Sequence, residues 1–69
     1  MNYTDCFGNE ISEWDECMFM DTLDPWFFAK NEIYVFVYSP IYELWGFTDG
    51  GAFVSISTLK DNNIKFKKV

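Results

Sequence analysis

Between Ser12 and Leu23 the chain reads Ser12-Glu13-Trp14-Asp15-Glu16-Cys17-Met18-Phe19-Met20-Asp21-Thr22-Leu23. Two secondary structures compete for it. Ser12, followed three residues later by Asp15, is a weak capping box with Asp in place of Glu or Gln. Glu13 and Asp15 suit the positive end of a helix dipole. On a wheel of about 100° per residue, Glu10, Glu13, Glu16, Asp21 and Asp24 share an arc of about 140°. Ile11, Trp14, Met18, Phe19 and Leu23 lie opposite. Asp15 interrupts the apolar side, Cys17 and Met20 interrupt the acidic side, and Glu16 stands where a hydrophobic staple residue belongs. The rival is a strand, because Cys17-Met18-Phe19-Met20 is a short apolar run that periodicity cannot assign. The acidic arc predicts a helix over 13–23, and Asp24-Pro25 predicts a short helical turn over 25–30.

Downstream the texture changes to strands. Glu32-Ile33-Tyr34-Val35-Phe36-Val37-Tyr38 is rich in β-branched and aromatic residues. Ser39-Pro40 is a turn, and Tyr42-Glu43-Leu44-Trp45-Gly46-Phe47 follows it. Thr48-Asp49-Gly50-Gly51 is the clearest hairpin signal in the chain. Phe53-Val54-Ser55-Ile56-Ser57 and Ile64-Lys65-Phe66-Lys67 each alternate apolar with polar. The expected fold is α+β: an antiparallel meander of three or four strands over about residues 32–68, with an N-terminal acidic helix packed on one face. The 69 residues make one small domain, of which 1–29 are acidic and helical or irregular and 30–69 form the meander.

Both faces of the first two strands of that meander are apolar. Ile33, Val35 and Val37 mark one, and Tyr34, Phe36 and Tyr38 the other, with Trp45 and Phe47 together on one side of the next strand. Antiparallel sheets usually keep one face polar. Either the N-terminal segment wraps around the sheet or the second face meets a partner. Aromatic residues are 22% of the chain, too many rings for a core this small to hide, and exposed rings mark contact sites.

Charge divides the chain as sharply. Residues 1–29 hold seven acids and no base, while all five lysines lie in 30–69, and the net charge is -6. A broad basic surface for nucleic acid is absent from such a composition. The Lys-Phe-Lys pattern at 65–67 reads instead as edge protection. No apolar run is long enough to span a membrane. Met1 to Asp5 lack the features of a signal peptide, so the expected location is cytoplasmic, and the host cytoplasm for a phage-encoded chain. Asn2-Tyr3-Thr4 matches a glycosylation sequon and is read as chance.

Catalysis is not expected. The chain has no His for acid–base work near neutrality, no glycine-rich phosphate loop and no calcium-loop spacing. Cys6 and Cys17 have neither redox-pair nor zinc spacing, and they are read as reduced thiols. No cofactor and no metal site are expected.

What remains is binding. Six acids over residues 10–24 on a helix would extend about 22 Å, roughly one charge per 4 Å, near the phosphate spacing along one DNA strand. In composition the chain resembles small acidic antagonists: phage-encoded inhibitors of host defence nucleases, DNA-mimic proteins and bacteriocin immunity proteins. That resemblance implies a protein partner with a basic, nucleic-acid-binding surface. The expected contacts are Glu10, Glu13, Glu16, Asp21 and Asp24 for charge, with Trp26, Phe36 and Trp45 as anchors. The alternative is a structural or assembly module that homodimerises, or docks on a larger protein, through an aromatic sheet face.

Overall fold

The computed structural model describes residues 3–69, so Met1 and Asn2, the first residues of the signal-peptide reading and of the sequon, lie outside the described residues. In chain order the elements are β1 (Tyr3–Thr4), β2 (Glu10–Ile11), β3 (Glu16–Phe19), β4 (Ile33–Ser39), β5 (Leu44–Thr48), β6 (Phe53–Ser55), the helix α1 (Ile56–Asp61) and β7 (Phe66–Lys68). β1 and β2 pair as a small hairpin. The others form one antiparallel sheet in the order β6-β5-β4-β3-β7.

The predicted N-terminal helix is therefore wrong. Residues 16–19 are a strand, paired through Glu16 with Val35, Cys17 with Tyr34 and Met18 with Ile33. The reason is tertiary. An isolated helix of about 11 residues is marginal in water, whereas β4 offers a bare, strongly β-forming edge. On that edge Cys17 and Phe19, two residues apart, both point inward and are 0% exposed. A helix would set them about 200° apart and bury only one. Trp14, with φ 77°, also breaks any right-handed helix through this segment. The capping-box pair is real but closes an isolated turn: Ser12 N–H donates to Asp15 Oδ2 at 2.8 Å, and Asp15 N–H to Ser12 O at 3.0 Å. The predicted helical turn over 25–30 is a hydrogen-bonded turn from Asp24 to Phe28.

The helix that does form lies near the other end of the chain. The expected strand over 53–57 stops at Ser55, whose side chain caps α1 by accepting from Thr58 N–H. Ile56 and Leu59, three apart on one helical face, are buried. α1 returns the chain across the sheet, so that β7 pairs with β3 at the far edge instead of with β6. Two layers result, because the inward face of the sheet receives both α1 and the β1–β2 hairpin.

Aromatic residues fill the space between the layers. Phe19 lies against Phe28, Tyr34, Phe47 and Phe66, with ring centroids 4.7–6.4 Å apart. Tyr3 of β1 meets Phe36 edge-on at 5.5 Å, and Trp45 stacks on Phe36 at 5.2 Å. Offset and edge-to-face pairs of this kind add stabilisation beyond burial.

The outer edge of β7 is closed by the N-terminal segment. Cys6 N–H donates to Phe66 O, and Lys68 N–H donates to Asp5 Oδ2, both at 2.9 Å. The buried Asp5 carboxylate also accepts from Phe7 N–H, Asn9 N–H and Asn9 Nδ2. Burial pushes its pKa up, but these donors together win and hold it at about 2. The folded value lies below the unfolded one near 4. Asp5 thus stabilises the fold fully above about pH 4, and its contribution is lost as pH falls toward about 2. In an acid titration followed by circular dichroism, Asp5→Asn is expected to be less stable at neutral pH and to show a shallower acid limb. An unchanged acid limb would refute this role.

Candidate docking surface

The sheet register shows which face is free. Cys17, Phe19, Tyr34, Phe36, Phe47 and Phe66 point inward, under α1 and the hairpin. Met18, Ile33, Val35, Val37, Leu44 and Phe53 point outward; Ile33 is 45% exposed, and among the described residues no helix or second sheet lies over this face. The aromatic face expected to meet a partner is therefore the covered one. Phe36 is 1% exposed and cannot touch another molecule, because the hairpin and Trp45 close over it. Trp45 is half-buried, between Phe36 and Tyr38.

The acidic residues do not share one surface. Strand alternation sends Glu16 to the outward face, in the row of Val35. Glu10 lies in β2 and Glu13 in the turn before β3, both exposed and both at the end where β3 begins. Asp21 and Asp24 lie in the connection from β3 to β4, at the opposite end. Antiparallel connectivity brings the β5–β6 turn, with Asp49, to that same end. Of the predicted contacts, the fold thus gathers Asp21, Asp24 and Trp26, and separates them from Glu10, Glu13, Glu16 and the core.

Several acids are occupied by the fold itself. Asp15 is bridged to Lys68 at 3.3 Å, and its carboxyl is held below the usual range first by Ser12 N–H and then by Lys68. Asp49 Oδ1 accepts from Ala52 and Gly51 N–H groups, which lower its pKa. Asp21 Oδ2 accepts from Lys65 N–H at 3.3 Å.

The β3–β4 connection is long but tightly bonded. Asp24 Oδ1 accepts from Trp26 N–H at 2.8 Å, and Asp24 O accepts from the N–H groups of Phe27 and Phe28. Leu23 and Asp24 N–H both donate to Phe28 O. Lys30 N–H donates to Thr22 Oγ1, and Ala29 N–H to Tyr34 Oη. Phe28 is buried and stacks on Phe19 at 5.9 Å. Anchored this way, the tip presents Trp26, 87% exposed, and the exposed Phe27 to solvent. Phe27 is not among the contacts expected from sequence, although its place beside Trp26 in a run of three aromatics is a signal for it. Ile41 and Tyr42, exposed at the opposite end, were also missed, although two large apolar residues directly after Pro40 in a turn were a sign.

The remaining chemistry is sparse. Cys6 is an exposed free thiol. Cys17 is buried, and burial, with Asp15 and Asp5 adding to it, pushes its thiol up to about 12. Among the described residues no cluster of three or more His, Cys, Asp or Glu is placed to hold a metal ion, and no helix is long and apolar enough to cross a membrane. No protein-family model, curated protein or solved structure matches this chain.

Proposed function

We propose that this chain is a small acidic protein–protein interaction protein, an antagonist that occupies the basic, nucleic-acid-binding surface of a partner. The observation that carries this reading is the exposed Trp26–Phe27 tip, fixed by the Asp24 turn in a connection that also carries Asp21. A net charge of -6 steers the chain toward a basic groove, with an association rate that falls as salt rises. The turn holds the Trp26 backbone in place, and the exposed ring then supplies the desolvated contact that charge alone lacks.

The test uses immobilised chain and a bacterial lysate at low and high salt. The expected result is retention of a nucleic-acid-binding protein that excess DNA or RNA releases. Trp26→Ala and the pair Asp21→Asn with Asp24→Asn should each abolish retention while the far-ultraviolet spectrum is unchanged; Asn preserves the turn at 24. Retention that nucleic acid does not compete, or that survives both variants, overturns the proposal.

A second reading, an assembly module, draws on the outward aliphatic face of Ile33, Val35 and Val37, which takes over from the covered aromatic face. Its occupant would be a second copy of the chain. It predicts a self-associated mass in sedimentation that Val35→Lys reduces to that of the monomer. A wild-type monomer at every concentration eliminates it.

A further inference from the structure

A cleft runs between the N-terminal hairpin, α1 and the approach to β7. Its lining comes from the start of the chain (Tyr3 to Cys6), from Ile56, Leu59 and Lys60 of α1, and from Ile64, Lys65 and Phe66. Its volume is about 240 Å³. At about 30 Å³ per water in the liquid, that is room for roughly eight water-sized groups, enough for a tail of about seven carbons with its polar head outside, and just below the usual range for drug-sized ligands.

The lining is segregated by chemistry. Ile56 and Phe66 are core residues whose edges, with the half-buried Ile64, form the apolar part of the lining. Lys60 and Lys65, two of the five cations in an acidic chain, stand exposed on the lining. The acid there is Asp5, whose oxygens already accept from Phe7, Asn9 and Lys68. A bound anion would meet two ammonium groups and a carboxylate turned toward its own donors. Long lysine stems can cover an apolar ligand while their charged ends reach its head.

We infer that this cleft binds a medium-chain aliphatic carboxylate, its tail on the half-buried Ile64 and the exposed edges of Ile56 and Phe66 and its head at Lys60 and Lys65. Cys6 on the lining reports occupancy directly. It is the exposed thiol, whereas Cys17 is buried and silent toward reagents.

The experiment follows alkylation of Cys6 in the full chain against octanoate concentration, with octanol as the uncharged control. The expected result is a saturable, several-fold slowing by octanoate, little slowing by octanol, and loss of protection in the Lys60→Gln, Lys65→Gln double variant. Both lysines are exposed, so the variant should keep the wild-type far-ultraviolet spectrum. Unchanged alkylation at high octanoate overturns the inference, as does equal protection by octanol or protection that survives in the double variant. The proposed antagonist function is unaffected by either outcome.

Discussion

Phe19→Ala is expected to cost about 3–5 kcal/mol, a large share of the stability of a domain this small. Phe19 is 0% exposed, and its ring contacts Phe28, Tyr34, Phe47 and Phe66. It therefore joins β3 to β4, β5, β7 and the base of the Trp26 loop at one point. Truncation removes the transfer free energy of the ring and leaves a cavity whose walls are themselves stiff rings and strand backbone. Collapse into that cavity is poor, which places the loss toward the upper end of the range. A domain of this length has a total stability of only roughly 3–10 kcal/mol. Urea unfolding followed by near-ultraviolet circular dichroism measures the effect. A loss below about 1 kcal/mol, the centre of the general distribution for single substitutions, would contradict the packing described.

Gly46→Ala is expected to be comparably damaging for the opposite reason, too little space. A Cβ at Gly46 would collide with the Val54 carbonyl oxygen and stand 2.8 Å from both Phe53 Cζ and Ser55 Cα. The obstruction is mostly backbone of β6, which pairs with β5 through Gly46 and Ser55. Strand β6 cannot retreat without breaking that ladder and moving Ser55, the cap of α1. Phe53 lies over the vacant position, and Tyr42 stacks on Phe53 at 5.7 Å. Overpacking of this kind costs about 1–3 kcal/mol and occasionally more, and a backbone obstacle places the expectation at about 3. Gly51→Ala is the control, since its Cβ would meet only Asp49 Oδ1 at 3.9 Å. Hydrogen exchange should show β6 and α1 losing protection first in Gly46→Ala and no change in Gly51→Ala. Equal stability of the two variants would refute the steric account.

These two residues also mark how far local sequence could be read. Gly46 sits in a segment whose strand character was plain, yet nothing nearby reveals that Phe53 occupies its missing side chain. Phe19 was recognised as apolar, but its period was misjudged. A helix wheel and a strand ladder place Cys17, Met18 and Phe19 differently, and over four residues the two patterns overlap. The acids made the error persuasive. Asp15, Asp21 and Asp24 serve as acceptors for turn N–H groups or a lysine instead of lining one helical face. Short acidic side chains cap turns as readily as helices, and the same residues satisfy either pattern. At Ser55 the reverse happened. A clean alternation through Ser57 concealed a helix cap, because Ser-Ile-Ser serves a strand and the first turn of a helix equally well.

Composition and local pattern alone determined a small acidic chain with more rings than it can bury, a β-rich second half and turns at Pro40 and Asp49-Gly50. Each follows from side-chain chemistry or backbone φ preference acting within a few residues. Only the tertiary structure decided that residues 16–19 extend the sheet, that the aliphatic face is the free one, and that Asp21, Asp24 and Trp26 meet at one tip while Glu10, Glu13 and Glu16 do not. Those outcomes depend on which strand edge is available and which layer covers it, energies that arise between segments distant in the chain.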